Sequence, residues 1–159
     1  MTDMTMQNAS STTSTERAAD GASTPMRRRI GRMATLAAAV ALPLLIWAGA
    51  VPIGGLDLTV GEGAAAQTVA PASIVFAVLV TGLTAWGVLA LLERFSRRSG
   101  RIFALIGWPV LALSLLGPVF TGATGAALVV LFAMHVATGA TLLIGLPRAA
   151  RQARRPAGR

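Results

Sequence analysis

Residues 27–53 read RRRIGRMATLAAAVALPLLIWAGAVPI. Four arginines in six positions give way to 21 residues, Met33 to Ile53, without a charge. As a helix rising ~1.5 Å per residue, that run is about 31 Å long and matches a bilayer hydrocarbon core of ~30 Å. Pro43 stands at its middle. A membrane helix tolerates proline where neighbours satisfy the carbonyl it frees, here that of Ala39, so a kinked span is expected. The basic flank and AGA at 48–50 also resemble a signal peptide with its cleavage site. The apolar run continues past those residues, however, and Pro52 would lie just beyond the cut, so a retained span is the expectation.

The same pattern recurs along the chain. Ala72–Leu92 and Ala126–Leu146 are each 21 residues without a charge, and Ile102–Phe120 is a further uncharged run of 19, with Pro109 and Pro118 inside it. ERFSRRSGR (93–101) and TGATG (121–125) are short turns between them. GGLDLTVGEGAAAQTVAP (54–71) is a longer loop, in which Leu56, Leu58 and Val60 alternate with polar or small residues. That alternation predicts a short extended piece.

The fold class is therefore all-α: a membrane-embedded four-helix bundle of up-and-down hairpins over 30–147, with spans at about 33–53, 72–92, 102–120 and 126–146. Residues 1–29 are expected as a disordered Ser/Thr-rich tail, because residues 1–26 carry too few large apolar groups to offset ordering entropy. Residues 148–159 form a basic tail. A soluble bundle would need polar outer faces, and these runs have none.

Composition agrees. Of 159 residues 54% are apolar and 13% charged, and mean hydropathy is +0.67. All fourteen basic residues are arginine, and they fall in the N-terminal flank, the second connection and the C-terminal tail. The other two connections hold only Asp57 and Glu62. The positive-inside rule then places both termini in the cytoplasm and the chain in the cytoplasmic membrane as a multi-pass protein. A net charge of +8 invites a nucleic-acid reading, but arginines that flank apolar spans do not line one folded face. Anionic lipid headgroups are the expected partner of the arginine-rich face. There is no cysteine, so disulfides, thiolate metal sites and thiol nucleophiles are excluded.

The chemistry available to the spans is sparse. His135, in FAMHVATGA (132–140), is the only histidine and lies one residue from the centre of the fourth span. An ionisable group at that depth is a functional hypothesis by default. A proton relay would need a second titratable group at similar depth, and the four spans contain no Asp, Glu, Lys, Arg, Tyr or Cys. A zinc site would need three or four ligands. The expectation is a neutral imidazole, hydrogen-bonded to a neighbouring helix. Thr81 and Thr84 of the second span are the first candidate partners by depth, with Thr138 on the histidine's own face and the Leu105 carbonyl freed by Pro109 as further ones.

Small residues recur at four-residue spacing in two spans, as Ser73, Ala77, Thr81 and Ala85 and as Ala133, Ala137, Thr141 and Gly145. Such stripes let helix backbones approach closely. Glu93 and Arg97 are four apart and would pair if the second helix continued that far. Asp57 and Glu62 are too few for a calcium site, which takes ~6–8 oxygens. No phosphate loop, dinucleotide fingerprint or catalytic triad is present, and neither a cofactor nor an enzymatic activity is expected.

GLDLTVG (55–61), TGLTAWGVLALLER (81–94), LALSLLGPV (111–119) and ALVVLFAMHVATGATLLIGLPR (127–148) together resemble a family of small actinobacterial membrane proteins known as a domain of unknown function. The likeness covers about residues 30–148. It implies four spans and places the histidine in a recurrent setting, but implies no activity, substrate or catalytic residue. Two functions stay open. One is a structural, accessory or interaction protein, as a homo-oligomer or with a membrane-protein partner. The other is a subunit of an oligomeric transporter or channel with His135 at the midplane. A water-accessible cavity reaching His135 would favour the second, and a packed midplane the first.

Reporter fusions at Arg159 and within residues 60–66 should give opposite compartment signals. Identical signals would overturn the topology.

Overall fold

A computed structural model describes residues 3–61 and 63–152, with side chains over 26–151 apart from 62 and 65. The chain folds as α1 (Asp3–Ala48), a π-helical turn (Gly49–Ile53), β1 (Thr59–Val60), β2 (Gln67–Thr68), α2 (Pro71–Phe95), α3 (Ser99–Ser114), α4 (Leu116–Phe120) and α5 (Gly125–Gln152). Four segments are long and apolar enough to cross a membrane: Met26–Ile53, Pro71–Phe95, Ser99–Phe120 and Gly125–Arg151. This is an all-α membrane bundle, as the hydropathy pattern predicts. The helices form a ring, α1–α2–α3–α5, in which α1 packs most extensively on α5 and α2 also touches α5 across the centre.

The apolar faces divide as a bilayer requires. Leu36, Val78, Leu89, Met134, Leu142 and Leu146 are buried between helices. Leu45, Phe76, Phe95 and Leu105 point outward and are exposed. Lipid tails solvate such residues as well as a protein core would, so apolar burial does not drive these helices together and close packing must. Small residues supply it. A Cβ built on Gly31 of α1 would stand 3.0 Å from Ala149 Cβ of α5, and Gly145 of α5 takes the Thr35 side chain of α1. Between α3 and α5, Gly107 receives Leu143 and Gly139 receives Leu111. The small-residue stripe of the fourth span thus meets a neighbour at Gly145.

Proline explains where the helices depart from single regular spans. Pro52 has no N–H to donate, and the end of the first span widens into a π turn with Gly54 N–H donating to Gly49 O at 2.9 Å. Pro118 leaves the Ser114 carbonyl without its usual donor, and the third span breaks at Leu115 into α3 and α4. The sequence pattern did not separate these two pieces. At Pro147 the outcome is the reverse. The expected boundary between bundle and basic tail is crossed by α5, which runs on to Gln152. Ala149 and Ala150 are buried there, and the contact of Ala149 with Gly31 holds the extra turn on α1. At the other terminus the helical backbone of α1 starts at Asp3, within the segment expected as a disordered tail. A helix already formed in the following span extends without the cost of nucleation.

The long connection carries the extended piece that the alternation predicts. β1 and β2 pair antiparallel, Thr59 opposite Thr68 and Val60 opposite Gln67. Leu58 is 1% exposed and packs with Ala123 and Leu131. Trp47 Nε1–H donates to Val69 O at 2.8 Å, and Gly61 N–H donates to Thr121 O at 2.8 Å. The hairpin is thereby fastened to α1 and to the α4–α5 connection. Glu62, one of the two acids of this loop, lies outside the described residues.

At the opposite end of the bundle Glu93 of α2 binds α1. Arg32 Nη2 donates to both carboxylate oxygens at 2.7 Å, and Arg28 Nη2 donates to Oε2. The Arg32 guanidinium also lies 5.8 Å from the centre of the Trp86 ring, within cation–π range. The expected Glu93–Arg97 pair does not form. α2 ends at Phe95 and Ser96 is extended, with φ −139° and ψ 133°, so Arg97 is no longer one helical turn above Glu93.

Glu93→Ala strands the guanidinium of Arg32, which is 5% exposed. The substitution should cost about 3–5 kcal/mol, whereas Arg32→Leu combined with Glu93→Leu should recover most of the loss. Unfolding in mixed micelles measures both. An unchanged midpoint for Glu93→Ala would remove this cluster from the stability of the bundle.

Candidate functional site

A cleft of about 810 Å³ lies between α2, α3 and α5, with Val60, Gln67 and Thr68 of the hairpin at one end. On α2 its lining runs from Ser73 to Val88, about 24 Å at ~1.5 Å per residue. That is most of the hydrocarbon thickness. Most lining residues are apolar, among them Val78, Phe103, Val110 and Leu142. A mostly apolar wall with a few polar groups, at this volume, is the usual constitution of a binding cleft between helices.

All four polar residues singled out from the sequence, His135, Thr81, Thr84 and Thr138, line this cleft. The structure brings them to one space but does not bond them to one another. His135 Nδ1 is 2.9 Å from Leu131 O, four residues back on its own helix. A carbonyl only accepts, so Nδ1 is the donor of this bond and Nε2 is left as the ring's other nitrogen. Thr84 Oγ1 likewise donates to Val80 O at 2.8 Å. The expected interhelical bond from His135 to Thr81 or Thr84 is therefore absent among the described residues. The physical reason is that a helix offers each such side chain a carbonyl one turn back, closer than any group across an 810 Å³ gap.

His135 Nε2 and the hydroxyls of Thr81 and Thr138 have no hydrogen-bond partner among the described residues. The cleft thus offers a ring nitrogen and two hydroxyls near mid-membrane, with His135 as the one titratable group among the described residues of its lining. The stripe Ser73, Ala77, Thr81 and Ala85 faces the same space. Among the described residues no cluster of three or more His, Asp or Glu is close enough to hold a metal ion. Depth alone pointed to the cleft residues. It did not point to Arg28, Arg32, Trp86 and Glu93, although one signal existed, since Glu93 is the only acid after Glu62.

A family model covers residues 23–152 of this architecture. The chain belongs to DUF6069, a family of unknown function. The match takes in all four membrane-length helices and the cleft, and it extends beyond residues 30–148, where the resemblance is legible by eye. No curated protein and no solved structure matches the chain. What is established is a multi-pass membrane protein of a family whose biochemical activity is unknown.

Because His135 bonds within its own helix, His135→Leu should cost less than the ~0.6 kcal/mol average of an interhelical hydrogen bond in a membrane. Reversible unfolding in mixed micelles tests this. A loss of about 1–2 kcal/mol would restore the cross-helix contact.

Proposed function

We propose that this is a non-enzymatic accessory protein of the cytoplasmic membrane, inserted with both termini in the cytoplasm, whose cleft receives a transmembrane helix. The observation that carries this reading is a membrane-length cleft walled on one side by the small residues Ser73, Ala77, Thr81 and Ala85. Small residues let another backbone come close, and close packing with interhelical hydrogen bonds is what associates helices in lipid. His135 Nε2, Thr81 and Thr138 would supply such bonds to the incoming helix. The first candidate occupant is α2 of a second copy, since a small-residue face packs well on its own twin. The orientation rests on the arginine distribution. The non-enzymatic reading rests on there being a single titratable group among the described residues of the cleft.

One observation favours a second reading, in which an oligomer transports a small solute or ion past His135. The cleft does reach that residue, the feature that sets transport apart from a packed midplane, but its mostly apolar wall suits a helix better than water. Solute or proton flux in liposomes that His135→Gln abolishes would select it.

The chain contains no cysteine, so Ala77→Cys introduces a single thiol. Mild oxidation in native membranes should link Ala77→Cys chains into a dimer, while Leu45→Cys, on an outward face, should not link. A photoreactive residue at 77 should capture protein. Capture of lipid alone would overturn the reading.

A further inference from the structure

At the end of the bundle that holds Glu93, a second and smaller pocket of about 310 Å³ lies where α2 gives way to α3 beside the end of α5. Its character is the opposite of the cleft's. Arg97, Arg98, Arg101 and Arg151 line it, with Ser99 and Gly100 between them. Glu93 is the one carboxylate in the lining, and it is already engaged by Arg28 and Arg32 of α1. The four pocket arginines make no ion pair among the described residues. All four are exposed, and four guanidiniums around one pocket give it a positive potential that attracts an anion.

The backbone adds to this demand. α3 starts at Ser99, and its N-cap, Arg98, makes no side-chain cap bond. The Gly100 amide donates to no acceptor among the described residues. The neighbouring Ser99 and Arg101 amides already donate to Ser96 O and Arg98 O, so Gly100 offers the one free amide at a helix N-terminus, a position that favours a bound anion and most of all a phosphate. A Cβ built on Gly100 would stand 3.5 Å from Arg151 Nη2, ordinary contact distance. The guanidinium of α5 therefore reaches the first turn of α3. Arginines from two separate elements and an uncapped helix start meet in one small space.

We infer that this pocket is a binding site for a phosphate group, held by Arg97, Arg98, Arg101 and Arg151 and by the Gly100 amide at the start of α3. Guanidiniums bind phosphate oxygens through paired N–H donors. The pocket sits at the ends of three membrane-length helices, the depth at which phospholipid headgroups lie, and basic pockets between spans bind such headgroups. A free phosphate or a phosphorylated solute offers the same chemistry. The inference does not depend on what fills the cleft between α2, α3 and α5.

The test uses the full chain in nanodiscs of phosphatidylcholine with a minor share of phosphatidylglycerol, and measures phosphatidylglycerol enrichment around the protein. Wild type should enrich it, and Arg101→Gln with Arg151→Gln should weaken the enrichment about tenfold, the loss expected for charge-assisted hydrogen bonds. Arg27→Gln with Arg29→Gln removes the same charge outside the pocket and should retain the enrichment. Added inorganic phosphate then separates the sources. Displacement of the lipid marks a site open to free phosphate, and persistence marks a lipid site. Equal enrichment by wild type and the pocket variant, or equal loss by the control, would overturn the inference by leaving only diffuse charge. If the glutamine pair loses helix content, Arg101→Lys with Arg151→Lys is measured instead. It keeps both charges and removes the planar fork, so reduced enrichment supports the site and unchanged enrichment overturns it.

Discussion

Helices in a bilayer gain nothing by hiding leucine from lipid, so this bundle depends on how closely its backbones approach. The α1–α5 pair carries that load. Gly31 admits Ala149 and Gly145 admits Thr35, and α1 and α5 share the most extensive contact of the bundle. The other helices are arranged around that pair. α3 is keyed to α5 by two reciprocal insertions, Leu143 at Gly107 and Leu111 at Gly139. α2 is held on α1 through the carboxylate of Glu93 and the guanidiniums of Arg28 and Arg32.

That ion cluster illustrates how membrane depth partitions interactions. Charge is costly at mid-span, and the one acid–base contact between helices among the described residues sits at the end of the bundle. Inside the spans the hydroxyl groups of Thr35, Thr84 and Thr141 donate to carbonyls one turn back in their own helices. His135 does the same through Nδ1. Polar groups satisfied within one helix contribute little to joining two. The space between α2 and α3 is consequently left as a cleft, with the hairpin of β1 and β2 fixed across its end by Trp47 and Gly61.

The two pockets divide the molecule into an apolar, membrane-length cleft and a compact basic one. They differ because the α2–α3 connection is only three residues long. A short turn brings Arg97, Arg98 and Arg101 within reach of α5 at that end. Farther along, Pro109 and the break at Leu115 lie in the third span, whose Ile106, Val110 and Ser114 line the cleft.

The sequence alone determined the number of spans, their approximate bounds and the short extended piece after the first of them. These follow from runs of uncharged residues against bilayer thickness and from alternation, both local properties of the chain. It also identified His135, Thr81, Thr84 and Thr138 as the polar residues at depth, because depth is simply position within a run. It did not determine which groups bond. Thr84 and His135 chose their own helices, and Glu93 turned from Arg97 toward Arg28 and Arg32. Pro118 broke its helix while Pro147 did not, since Ala149 found Gly31 to pack on. Those outcomes depend on which helix lies beside which, and on distances of a few ångströms between residues far apart in the chain. Only the tertiary structure decides them, because uniformly apolar helices carry almost no periodic signal for the neighbour they will meet.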